Sequence, residues 1–127
     1  MRTEDISAAG LATIISAHRF RWASETDLQE GLAQCLAEYG YPVEREVRLS
    51  GRDRIDLLVH RTGIEVKVAK PGTATPIERV LAQLGRYAQS DQVDELVLVS
   101  TSARHRIVPQ TVGGKPLRAV VLQSGLR

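Results

Sequence analysis

Cysteine is almost missing from this 127-residue chain: Cys35 stands alone. That excludes a disulfide framework within the chain and points to a reducing compartment. Long apolar runs are missing as well. No stretch approaches the ~20 residues of a membrane span and no secretory pattern opens the sequence, so a cytoplasmic protein with no membrane partner is expected. Neither sign of charge dominates, since 17 basic and 15 acidic residues leave a net charge of +2. This is a mild lean toward polyanions, not a histone-like excess. Of the 17 basic residues 14 are arginine, which suits bidentate phosphate contacts, although genomic base composition also biases arginine content. The spacing of His18, His60 and His105 matches no zinc site. No Ser-His-Asp order is suggestive, and Gly113-Gly114-Lys115-Pro116 precedes a strand and lacks phosphate-loop spacing. Repeats, low-complexity tracts and domain-length linkers are absent. Hydrophobic content of 43% and charged content of 25% are ordinary for one globular domain with a single core.

Patterning supplies the order of elements. Residues 4 to about 19 form an apolar-rich helical stretch (Ile6, Ala9, Leu11, Ile14, Ile15, Ala17) interrupted by Gly10. Arg19-Phe20-Arg21-Trp22 is a basic-aromatic hinge. Ser24 reads as an N-cap with Asp27 three residues on, starting a helix from Glu25 to Tyr39 that ends at Gly40. Residues 41–49 alternate Val43, Val47 and Leu49 with charge, as a strand does. Residues 50–53 are a turn, and 70–76 break regular structure. A helix from Pro76 or Ile77 to about Gln89 carries Ile77, Leu81, Leu84 and Ala88 on one face. Leu96-Val97-Leu98-Val99 reads as a buried parallel strand, and Leu117–Leu122 as a last strand. Residues 1–23 are thus a helical extension and 24–127 the main domain, within one domain overall.

The chemistry-bearing residues lie in two short apolar runs. In Gly63-Ile64-Glu65-Val66-Lys67-Val68 the apolar residues alternate with Glu65 and Lys67, so those two share one strand face. Asp56 lies midway along Arg54-Ile55-Asp56-Leu57-Leu58-Val59. The short link His60-Arg61-Thr62-Gly63 would fold the runs into a hairpin and bring Asp56 beside the pair. Unpaired charge there would be costly. Two hard carboxylates suit Mg²⁺, which takes one or two protein carboxylates and keeps several waters. A nearby ammonium suits the negative charge that develops when a phosphodiester is hydrolysed. The bland alternative is a surface ion-pair ladder.

Asp56 followed by Glu65-Val66-Lys67 resembles the PD-(D/E)xK nuclease superfamily, in particular its small RecB-like and archaeal Holliday-junction-resolvase-like members. The resemblance covers roughly residues 24–101, with Ile55 in place of the proline that often precedes the aspartate. It implies an α/β restriction-endonuclease-like αβββαβ core: a mixed central sheet flanked by helices, here with an extra N-terminal helix. It also implies a Mg²⁺-dependent deoxyribonuclease (Mn²⁺ substituting) with Asp56, Glu65 and the Val66 carbonyl on the metal and Lys67 catalytic. Gln83 and Tyr87 resemble the Gln-xxx-Tyr element of RecB-like nucleases, which positions the active site and the DNA backbone.

At about 100° per residue, Glu25 falls within ~60° of Leu28 and Leu32, whereas Glu30 points more than ~150° away. Glu25 is therefore the better match to the helix glutamate that the resemblance implies as an accessory acid, an additional or water-mediated metal ligand, with Gln29 on its face, although its first-turn position is favourable in any case. Glu30 is expected at the surface, and Cys35 in the core. Arg79, Arg86, Tyr87 and Arg104 are the candidate nucleic-acid contacts, with a plain solvated face as the alternative for each. The expected partners are DNA, a second copy of the chain and a larger nucleoprotein complex. The apolar N-terminal helix is either a dimer interface or part of the same core. A binding or assembly module of this fold without turnover is the alternative function.

Overall fold

The computed structural model describes residues 6–70 and 72–123. Two helices start the same way. The Ser7 hydroxyl accepts the Gly10 N–H at 3.1 Å and the Ser24 hydroxyl accepts the Asp27 N–H at 3.1 Å, each satisfying a helix-end donor. The first cap opens α1 (Ala8–Ser16) and the second opens α2 (Glu25–Glu38). α1 is shorter than the 4–19 expected: the Ser7 cap fixes its start and Ala17 closes its end, and residues 4 and 5 lie outside the described residues. Gly40 follows α2 with φ +91°, as a helix-terminating glycine does.

Three antiparallel strands follow: β1 (Glu44–Ser50), β2 (Asp53–Val59) and β3 (Thr62–Lys67). Helix α3 (Ile77–Tyr87) then crosses to β4 (Glu95–Ser100), which is parallel to β3. A single 3₁₀ turn at Ala103–His105 leads to β5 (Thr111–Val112) and β6 (Lys115–Val121), with β6 parallel to β4. The described residues thus form an α/β fold with three helices and a six-stranded mixed sheet in the order β1-β2-β3-β4-β6-β5. Gly113 and Gly114 (φ +57° and +81°) are the turn of the β5–β6 hairpin, so the last strand begins at Lys115 rather than Leu117. No helix among the described residues is long and apolar enough to cross a membrane.

Helices cover both faces of the sheet. α1 and α2 bury Leu11, Ile15, Leu28, Leu32 and Leu36 against Leu57, Val59, Ile64, Val66, Val97 and Val99. α3 buries Val80, Leu84 and Tyr87 against Ile55, Leu58, Leu96, Leu98 and Leu117. This is why Leu96–Val99 is continuously apolar: both sides of β4 are covered. The buried stripe of α3 is Val80, Leu84 and Tyr87 at i, i+4 and i+7, with Ile77 and Leu81 only partly covered at its flank. Leu11 and Ile15 are fully buried, so the apolar face of α1 packs on the chain's own core. Cys35 is only half-buried, outside both core clusters.

One irregularity places the site. Strand alternation should put Ile55 and Leu57 on one face, yet Ile55 packs under α3 and Leu57 under α2. β1 switches too: Val43 packs with the α2 cluster, Val47 and Leu49 with the α3 cluster. The switch in β1 falls at Glu46, whose φ of +56° is in the left-handed region that a non-glycine residue rarely occupies. Arg45 pairs with Leu57 and Val47 with Ile55, so Glu46 stands opposite Asp56 and the β1–β2 ribbon turns over at that step. Ile55 Cδ1 then fills the space where Gly63 would carry a Cβ. Gly63→Ala should therefore cost about 1–3 kcal/mol through overpacking, read as a lower urea midpoint. An unchanged midpoint would refute this account of the ribbon.

Candidate active site

β2 and β3 pair from Val59↔Thr62 to Leu57↔Ile64. At the next step the Asp56 carboxylate replaces a ladder bond: its Oδ2 accepts the Val66 N–H at 2.7 Å. Glu65 projects beside it from β3 and is only 4% exposed. Lys67 Nζ lies 3.3 Å from Glu65 Oε2. The other oxygen, Oε1, is buried and has no hydrogen-bond partner among the described residues. A buried carboxylate oxygen with no donor is costly and calls for an explanation. The structure therefore does bring Asp56, Glu65 and Lys67 together.

Burial governs the electrostatics. It pushes Glu65 up to about 8, with the Asp56 charge adding to the rise and Lys67 only partly opposing it. Asp56 is raised to about 6, again mainly by burial, against the pull of its Val66 hydrogen bond; Glu25 pushes it further up, Lys67 down and Glu46 up. Two carboxylates that resist ionisation together form a site that a cation would relieve.

Glu25 reaches the same place from the first turn of α2. Its Oε2 accepts the Val68 N–H at 3.3 Å, just past the end of β3, and its charge acts on Asp56. The face-angle reading thus holds, and Glu30 is exposed as expected. Gln29, buried at 5% exposure, is directed elsewhere: its Oε1 accepts from Arg45 Nη2 at 3.5 Å.

Gln83 and Tyr87 act as a pair. Gln83 Nε2 donates to the Tyr87 hydroxyl at 2.8 Å, and that hydroxyl donates to the Arg54 carbonyl at 3.0 Å, two residues before Asp56. Tyr87 is 2% exposed. Burial, with Glu65 and Asp56 adding to it, raises its hydroxyl pKa well above the ordinary phenol range. Tyr87 as a direct nucleic-acid contact is therefore corrected, because its ring fills the core and its hydroxyl braces the Asp56 strand. Gln83 supports that brace. Tyr87→Phe should cost about 1 kcal/mol, from the lost hydrogen bond and the carbonyl left unpaired; a denaturation midpoint equal to wild type would rule the brace out.

The candidate arginines Arg79, Arg86 and Arg104 are all exposed. Arg86 Nε lies 3.2 Å from Asp53 Oδ1, whereas the Arg79 side chain has no polar partner among the described residues. Arg104 is exposed on the 3₁₀ turn. Its neighbour His105 is 1% exposed and bridges two segments, with Nδ1 2.7 Å from Ser100 Oγ and Nε2 2.6 Å from the Thr75 carbonyl. His105 fastens the segment between β3 and α3 to the end of β4, and no spacing rule in the sequence signalled it.

No family model, no curated protein and no solved structure matches this chain. Its chemistry must be read from these side chains. Hard carboxylate oxygens and an orphaned buried Oε1 fit Mg²⁺ better than a softer metal. Among the described residues no group of three or more His, Cys, Asp or Glu is gathered as a ready metal cage.

Proposed function

We propose that this protein is a Mg²⁺-dependent DNA nuclease of the PD-(D/E)xK type, with Mn²⁺ able to substitute. The observation that carries the reading is the buried Glu65 Oε1, left without a hydrogen-bond donor beside Asp56 while Lys67 holds the other oxygen. The order α2, β1–β3, α3, β4 also agrees with a restriction-endonuclease-like core.

Asp56, Glu65 and the Val66 carbonyl would hold the metal. When bound, it would neutralise phosphoryl oxygens and lower the pKa of an attacking water. Asp56 keeps its aim through the Val66 N–H, and the Gln83–Tyr87–Arg54 chain holds the strand beneath it. Lys67 sets a fixed positive charge where a non-bridging phosphate oxygen gains negative charge. Glu25, tied to the exit of β3, is the accessory acid at the rim. Arg79, Arg86 and Arg104 supply phosphate contacts that position DNA without reading sequence. A homodimer or a larger nucleoprotein complex would supply substrate selection.

The test is cleavage of labelled single-stranded, duplex, flap and four-way-junction DNA with Mg²⁺, Mn²⁺ or EDTA. Cutting that requires metal supports the nuclease. Binding without cutting under every condition overturns it in favour of an assembly module.

A further inference from the structure

Four residues at the hinge before α2 have no part in that chemistry. Arg19, Phe20, Arg21 and Trp22 line a cavity of about 740 Å³, closed on its other side by the end of β6 at Val121 and Leu122. That volume is within the range of small-molecule sites. Phe20 and Trp22 are half-buried against the α1–α2 core, while Arg19 and Arg21 are exposed. Neither guanidinium has a polar partner among the described residues, and none of the described residues lining the cavity is a carboxylate. His18 is already held, with Nε2 2.6 Å from the Tyr39 hydroxyl and the two rings edge to face at 5.5 Å.

Position adds a second argument. β3, β4 and β6 are parallel, and Lys67, Ser100 and Val121 lie in one register row. Val121 is therefore two strands, roughly 10 Å, from the strand position of Lys67. Both lie at the carboxyl ends of parallel strands, where open α/β sheets bind ligands, the cavity on the α1–α2 side of the sheet and the Glu65 and Lys67 side chains on the α3 side. A rim of exposed arginine calls for phosphate, and an aromatic wall calls for a flat π-system. Together these are what a single strand offers and what a stacked duplex interior withholds.

We propose that this cavity binds an unpaired nucleotide, its base against Trp22 and its phosphate between Arg19 and Arg21. Resting on the nuclease reading, this makes the preferred substrate a DNA with a single-stranded segment next to the scissile phosphate. The cavity holds the displaced nucleotide a few positions away.

Trp22 is the only tryptophan, so its emission reports on this cavity alone. Wild-type protein in EDTA is titrated with oligothymidylate, with a blunt duplex and with polyglutamate, and affinity is followed in parallel by anisotropy of the labelled oligonucleotide. Saturable quenching by oligothymidylate is expected, with at least 10-fold weaker response to the duplex and none to polyglutamate. Arg19→Ala/Arg21→Ala removes only exposed side chains and should weaken single-strand binding by about 10-fold or more. Trp22→Ala should do likewise, whereas Trp22→Phe, which keeps an aromatic wall, should stay within a few fold of wild type. The proposal fails if single strand binds with Trp22 emission and the arginine variant unaffected, if duplex quenches equally, if polyglutamate quenches, or if nothing binds. Because no metal or turnover is involved, a silent nuclease with a responsive Trp22 would sink only the nuclease reading. Metal-dependent cutting with an unresponsive Trp22 would sink only the cavity assignment.

Discussion

Lys67→Ala is expected to lower metal-dependent DNA cleavage by about 10²–10³-fold at saturating Mg²⁺, the usual loss when one preorganised charge is removed from a transition state. The side chain leaves β3 two residues after Glu65, on the same face, and its Nζ is 3.3 Å from Glu65 Oε2. Its removal also leaves Glu65 without the one cation that opposes the upward push of burial. Metal affinity should therefore weaken at neutral pH and recover as pH rises, since a ligating carboxylate must be deprotonated. The two losses separate kinetically: the electrostatic one persists in kcat at saturating metal, and the affinity one disappears there. Circular dichroism and a urea midpoint check that the variant stays folded, because Lys67 is largely buried beside Glu65. A variant with wild-type kcat at every metal concentration would remove Lys67 from the chemistry.

The second large effect is on stability. Asp56 and Glu65 are raised in the folded protein from 3.8 to about 6 and from 4.5 to about 8. Between the unfolded and folded values the native state binds more protons than the unfolded chain, so stability falls as pH rises. The stabilisation is fully present below about pH 4 for these two groups and is lost by about pH 8. Each pKa unit of that rise is worth about 1.4 kcal/mol, so the loss is large beside the stability of a small domain. In EDTA, wild-type urea midpoints should therefore drop between pH 5 and pH 8. Glu65→Gln should flatten most of that slope and exceed wild type at pH 8, because a neutral amide avoids burying charge. Mg²⁺ should reverse the ranking, stabilising wild type increasingly with pH and leaving Glu65→Gln unchanged. A wild-type midpoint flat from pH 5 to 8 and insensitive to Mg²⁺ would mean that the two carboxylates are ordinary ion-paired groups.

Much of this site was legible in the chain. Period-2 alternation places Glu65 and Lys67 on one face wherever β3 lies, and a short hairpin brings Asp56 opposite. The same 100° arithmetic that selected Glu25 over Glu30 holds, because a packed helix presents one stripe to its sheet. The arithmetic was less able to centre the stripe of α3, where Tyr87 is core and Leu81 is flank. A tyrosine is amphipathic, and only its surroundings decide whether ring or hydroxyl is satisfied inside. Burial of His105 was not legible either, since its two partners, Ser100 Oγ and the Thr75 carbonyl, come from separate segments.

Local patterning alone was enough for the order of α2, β1–β3, α3 and β4, the Ser24 cap, the two-sided burial of β4 and the set Asp56, Glu65 and Lys67. Each follows from local periodicity or from hydrogen bonds between near neighbours, which any three-dimensional arrangement of the chain would keep. Tertiary structure alone decided where the ribbon turns over at Glu46 and Asp56, that Glu65 Oε1 is left without a donor, and that Tyr87 braces Arg54. It also decided that the Arg19–Trp22 hinge faces the end of β6 across a cavity. Those features depend on which distant segments meet, and on how much water their meeting excludes, quantities that no window of neighbouring residues contains.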